Sequence, residues 1–146
     1  MKNTDIIVRK ASQGEELPVF EIFSRIRTEE FHWVSAPMSF EDFKLSIEGE
    51  DIYAALIGEK IIGFVSVWRQ DSFIHNLFVK KQFRRAGAGK ALLEYAIKEL
   101  GGKAFLKCVV ENKDALRFYT DGGWKKISSG ESKDGVYFLM SYGEKL

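Results

Sequence analysis

The sequence predicts a mixed α+β fold, an αβ sandwich whose mostly antiparallel central sheet carries helices on both faces. Three observations predict it. The middle of the chain reads as a three-strand meander, and a strand-helix-strand-helix run follows it. The second meander segment, 61–68, is apolar on both faces, as a strand covered from each side must be.

The elements follow in order. Residues 6–9 form a short opening strand, and 15–28 carry Leu17, Phe20, Ile22, Phe23 and Ile26 at helical spacing. After an aromatic connector and Pro37, Ser39 ahead of Phe40-Glu41-Asp42 gives a capping-box-like start to a second short helix. The meander comprises 52–57, 61–68 and 73–79, with turns at Gly58-Glu59-Lys60 and Gln70-Asp71-Ser72. From 87 to 100, Leu92, Leu93, Ala96 and Leu100 make an apolar stripe opposite Lys90, Glu94 and Lys98. Gly101-Gly102 stops that helix, 104–110 returns as a strand, and Asn112 caps a helix ending at Gly122-Gly123. This unit requires a parallel strand pair. Strands 124–127 and 136–142 close the chain across a loop at 128–135.

A chain of 146 residues, 45% hydrophobic and 29% charged, suits one core, and a single domain over 1–146 is expected. A net charge of +1 provides no field toward nucleic acid or an anionic membrane, so neither is expected as a partner. No apolar run approaches the ~20 residues of a bilayer span, and the polar start Met1-Lys2-Asn3-Thr4-Asp5 lacks a leader's apolar stretch. A cytoplasmic protein is expected. The single Cys108 excludes an internal disulfide; with His32 and His75 it offers no metal-ligand spacing, so no metal is expected. A homodimer is compatible with the sequence, which does not fix oligomeric state.

Arg84-Arg85-Ala86-Gly87-Ala88-Gly89 lies between a strand end and a helix start, where free N–H groups and the helix dipole favour an anion. A triphosphate loop would need Gly at Arg84 and Ser or Thr at Ala91, and a dinucleotide fingerprint would need Gly at Leu92. A solvated basic turn including Lys80, Lys81 and Lys90 is the plain alternative.

Arg84-x-x-Gly87-x-Gly89, after a strand ending Leu77-Phe78-Val79, resembles the acyl-coenzyme A loop of the GNAT superfamily of N-acetyltransferases. Further on, Asn112-x-x-Ala115-x-x-Phe118-Tyr119-x-x-x-Gly123-Trp124 resembles that superfamily's final helix. The resemblance covers nearly the whole chain; Lys81, where proline is usual, and Ala88, where a larger aliphatic is common, depart from it. It implies a GNAT-like fold and transfer of an acetyl group from acetyl-CoA to a primary amine, on a small molecule or peptide, by direct attack in a ternary complex. The alternative is a regulatory module that binds acyl-CoA without turnover.

The residues implied in cofactor binding are Leu77, Phe78, Val79, Arg84, Arg85, Ala86, Gly87, Ala88, Gly89, Lys90, Asn112 and Tyr119. By the resemblance, strand 73–79 splays from its neighbour and frees backbone groups at Leu77 and Val79. Gly87 and Gly89 remove side chains where phosphate oxygens approach, while Arg84, Arg85 and Lys90 add charge. Two catalytic residues are expected. His75, on the face of Leu77 and Val79 by alternation, is the candidate base, or else a sheet hydrogen-bonder. Tyr119, two turns after Asn112, is the candidate acid facing the sulfur, or else a core tyrosine beside Phe118. For a cationic acceptor, Glu29, Glu30, Phe31 and Trp33, with His32 and Trp68 nearby, combine acid and aromatic groups; exposed surface is their other reading. Lys107 occupies the place of a glutamate found in several relatives, which disfavours a carboxylate base there.

Overall fold

A computed structural model describes residues 5–34 and 36–143; the polar start at 1–4 and the chain end at 144–146 lie outside the described residues. In chain order the elements are β1 (Ile6–Lys10), α1 (Glu16–Glu30), α2 (Phe40–Ser46), β2 (Asp51–Ile57), β3 (Lys60–Trp68), β4 (Phe73–Val79), α3 (Ala88–Glu99), β5 (Ala104–Val109), α4 (Lys113–Asp121), β6 (Lys125–Ser132) and β7 (Gly135–Tyr142). The strands form one sheet in the order β1-β2-β3-β4-β5-β7-β6. Among the described residues only β4 and β5 pair in parallel, the crossover being made by α3.

Both faces of the sheet are covered. On one face Val65 and Val67 of β3 pack with Tyr53, Leu92 and Ala96 beneath α3. On the other, Phe64 packs with Val19, Phe23 and Phe43 of α1 and α2. This accounts for the apolar character of both sides of β3. The expected caps are present: Ser39 Oγ accepts from Asp42 N–H at 3.0 Å, and Asn112 Oδ1 from Ala115 N–H at 3.3 Å.

Three expectations change. Helix α1 continues past residue 28 to Glu30, which carries its last turn to the edge of the site. The closing pair is a tight hairpin, because β6 runs on to Ser132 and only Lys133-Asp134 joins it to Gly135 at φ 112°. The long loop expected at 128–135 is therefore strand. Edge strand β6 is exposed along almost its whole length, so no apolar alternation marked it. Residues Lys81–Ala86 wind into a 3₁₀ segment rather than an open loop.

Candidate active site

The site begins where β4 and β5 part. They pair only at Phe73 with Phe105 and Ile74 with Leu106. Lys80 N–H donates to Ile62 O across β3 at 2.8 Å, so by alternation Phe78 and Asn76 also turn their backbone groups toward β3. Leu77 and Val79 turn theirs into the gap. A cavity of about 450 Å³ opens there, between Leu77, Phe78 and Val79, the Glu111–Asp114 turn and the end of α1.

At one end of the gap, Gly87 adopts φ 88° at the start of α3, and the first intrahelical bond from a backbone N–H runs from Ala91 to Gly87 O. The N–H groups of Ala88, Gly89 and Lys90 are thus left for an outside acceptor. A Cβ at Gly87 meets nothing within 4 Å, whereas one at Gly89 meets Phe118 and Val79 side chains at 3.7 and 3.8 Å. Ala88 is fully buried, backbone included, so the head of α3 offers a ligand its Gly89 and Lys90 positions. Ala86 is half-buried at the end of the 3₁₀ segment, and Arg85 and Lys90 are exposed beside it. Arg84 lines the cavity but is engaged by the protein itself: its Nε donates to Val79 O at 3.1 Å, and its two terminal nitrogens grip both oxygens of Glu30 at 2.5 and 2.8 Å.

Beyond the gap, Asn112 lines the cavity while its side-chain oxygen caps α4. Its amide nitrogen keeps its hydrogens for a ligand. Tyr119 does not line the cavity; it sits in the core beneath α3 and α4, 8% exposed, with its ring against Phe118 and Trp124. Burial raises the Tyr119 hydroxyl above the ordinary phenol range, and the nearby Cys108 adds to this. Burial likewise pushes the Cys108 thiol up to about 11, which keeps it neutral and a poor nucleophile.

The acceptor-side candidates separate. Phe31 and Trp33 stack at 4.6 Å on the cavity wall, with Glu30 and His32. Glu29 does not join them; it pairs with Arg25 at 3.2 Å, one turn back along α1. Trp68 lies against Gly49, away from the cavity. His75 does not share a face with Leu77 and Val79. Ser66 pairs with Asn76 but Val67 with Ile74, so His75 is the extra residue of a β-bulge, and the two-residue alternation breaks there. Its ring instead reaches Glu50, just before β2, with Nδ1 2.7 Å from Oε2. Sequence reasoning missed Glu50 and also Glu111, which lies 3.5 Å from His32 across the cavity mouth. Both pairings span long sequence separations and leave no local signal.

The profile described as an acetyltransferase (GNAT) domain matches residues 8–141. The chain belongs to the GNAT acetyltransferase family. Among solved structures, a GNAT-family acetyltransferase from Elizabethkingia anophelis with acetyl-CoA bound is similar at TM-score 0.76 and 17% identity, over 96% of this chain and 99% of that one. A GNAT-family acetyltransferase from Staphylococcus aureus Mu50 is similar at 0.75 and 20%, over 96% and 99%. The ribosomal-protein-S18-alanine N-acetyltransferase of Escherichia coli is similar at 0.70 and 19%, over 94% and 92%. No curated protein matches the chain at the level of sequence.

As a GNAT enzyme the protein is an acyltransferase that uses acetyl-CoA. The residues present fit that molecule. Uncommitted N–H groups at the head of α3 suit a pyrophosphate, and the unpaired edge of β4 suits the amides of a pantetheine arm. No helix among the described residues is long and apolar enough to cross a membrane.

Proposed function

We propose that residues 1–146 act as one catalytic domain that transfers the acetyl group of acetyl-CoA to a primary amine, by direct attack within a ternary complex. The observation that carries this is the two-rung pairing of β4 with β5, which leaves the Leu77 and Val79 backbone facing the cavity next to the head of α3.

In this reading Gly89 and Lys90 donate backbone N–H groups to pyrophosphate and Gly87 keeps the approach clear, with Arg85 and the Lys90 side chain adding charge. Val79 N–H and the Asn112 amide hold the pantetheine arm. Leu77 N–H donates to the acetyl oxygen, where negative charge develops as nitrogen bonds to the carbonyl carbon. An amine with pKa ~10.4 costs about 4–5 kcal/mol to deprotonate at pH 7, and His75, exposed next to the splay but outside the cavity lining, takes that proton through water. As the carbon-sulfur bond breaks, Tyr119 donates a hydrogen bond to the leaving sulfur. Its raised pKa favours that bond over full proton transfer, and solvent completes the protonation. Cys108 takes no part, because attack is direct.

On the acceptor side, stacked Phe31 and Trp33 give the amine an aromatic wall. Glu30 gives little net attraction, since Arg84 neutralises it. That balance suits an acceptor recognised by shape and stacking, either a small molecule or a peptide end, more than by a high positive charge.

The test is a thiol-release assay with acetyl-CoA over amines of increasing size, paired with calorimetry. Amine-dependent thiol release supports transfer. Tight acetyl-CoA binding without release for any amine identifies a non-catalytic binding module instead.

A further inference from the structure

We infer that Glu50 is a positioning residue that fixes the orientation and tautomer of His75, so that Nδ1–H donates to Glu50 and Nε2 is left to accept the amine's proton. The inference rests on the reading of His75 as the base and adds the group that makes it one.

The geometry comes from three separate parts of the chain. The β4 bulge turns His75 to the α1/α2 face of the sheet, beside the rung where β5 departs. Glu50 stands one residue before β2 on the same face, which Ile52 and Ala54 continue into the α1/α2 core. Gly49, at φ 83°, holds the turn in place: a Cβ there would lie 2.9 Å from the Trp68 ring, so only glycine lets that ring close over the turn. The result is a Glu50 side chain 8% exposed, with Oε2 2.7 Å from His75 Nδ1, while His75 is 39% exposed.

The other oxygen, Oε1, is buried and has no partner among the described residues. A carboxylate kept out of water with half its acceptors unmet is a cost that no packing role repays, since an apolar residue would fill the same space. Its return is directional: a fixed acceptor on one ring nitrogen determines which nitrogen is basic. Lys107 also stands on this face, placed at the next rung of β5 with its ammonium 4.9 Å from the Tyr137 ring centre, and a lysine offers no acceptor. The atom that meets Nδ1 is Glu50 Oε2, so Glu50 sets the tautomer.

The test compares Glu50→Leu, Glu50→Gln, His75→Ala and the Glu50→Leu/His75→Ala double variant with the wild-type enzyme. Nitrogen-15 NMR of the free protein with its ring neutral should show the His75 proton on Nδ1, moving to Nε2 in Glu50→Leu. In turnover, Glu50→Leu should lower kcat at least about tenfold with the acetyl-CoA KM within about twofold. Glu50→Gln, which keeps an acceptor oxygen, should recover most of that loss. The double variant should be no slower than His75→Ala alone, because both changes remove one function.

A wild-type proton on Nε2, or normal turnover of Glu50→Leu while His75→Ala is slow, overturns the inference and leaves His75 as base. Normal turnover of His75→Ala removes the base itself and the catalytic role of Glu50 with it. Multiplying losses in the double variant also overturn the inference, because they show independent effects. If Glu50→Leu does not fold, the wild-type tautomer and the Glu50→Gln rate decide.

Discussion

Glu30→Gln separates two duties that meet at Arg84, bracing α1 and binding phosphate. In the structure the guanidinium joins the last residue of α1 to the carbonyl of the last residue of β4. At 2.8 Å two unit charges attract by about 1.5 kcal/mol in water and about 6 kcal/mol at an effective dielectric of ~20. Both side chains retain solvent, Arg84 at 39% and Glu30 at 25% exposure, so the low end applies, less the cost of ordering them. Glutamine also keeps one oxygen to accept from Arg84. The expected net loss is about 1 kcal/mol, or about 4 °C in Tm for a domain of this size. Scanning calorimetry at low and high salt checks it, and the gap should narrow as salt screens the wild-type pair. Calorimetric titration with coenzyme A should find affinity held or raised in Glu30→Gln, since the guanidinium is released, but lowered in Arg84→Ala. An unchanged Tm refutes the brace. Equal losses of coenzyme A affinity in both variants show that Arg84 acts only through α1.

Gly89→Asp should abolish coenzyme A binding in a protein that still folds, because a carboxylate then occupies the head of α3 where phosphate belongs; calorimetry at saturating coenzyme A reads this. Tyr119→Phe, which removes one hydrogen-bond donor to developing charge, should lower kcat by ~10²–10³-fold with the acetyl-CoA KM little changed, and near-normal turnover assigns Tyr119 to packing alone. Glu15 titrates at about 2, held down first by the Arg9 guanidinium and then by Ser12 N–H. Its folded value lies below the unfolded one, so it stabilises the fold above about pH 4.5, and this contribution is lost as pH falls toward about 2. Denaturant titrations should find Glu15→Gln less stable than wild type at neutral pH, with the gap closing on acidification.

What was legible in the sequence was local. Ser39 and Asn112 announce helix starts because each cap bonds an N–H three residues on. The apolar stripe of α3 and the two-sided apolar run of β3 report their burial through simple periods. The glycine turn at the head of α3, the proposed cofactor end, was legible for the same reason, since Gly87, Gly89 and the start of α3 are contiguous. The acceptor end was not. His75 meets Glu50 across 25 positions and Arg84 meets Glu30 across 54, and no spacing rule connects such residues. The bulge at His75 is a property of pairing with β3, so alternation placed the ring on the wrong face. Edge strand β6 was hidden because nothing covers it.

The bulge and the splay are adjacent and physically linked. β4 keeps β5 through Ile74, and the bulged residue is His75, the next position. An extra residue in β4 advances its backbone relative to a regular neighbour, so a parallel ladder cannot continue in register past it. β5 does not follow, because its six residues from Ala104 to Val109 remain paired with β7, just as β4 from Asn76 to Val79 remains paired with β3. The gap is therefore held open from both sides by hydrogen-bonded strands, and a ligand entering it need not break a ladder. Donors fixed before binding pay no reorganisation when charge develops at the carbonyl. One inserted residue also separates the faces, with Leu77 and Val79 packing toward α3 and their backbone facing the gap, while the His75 ring turns to Glu50.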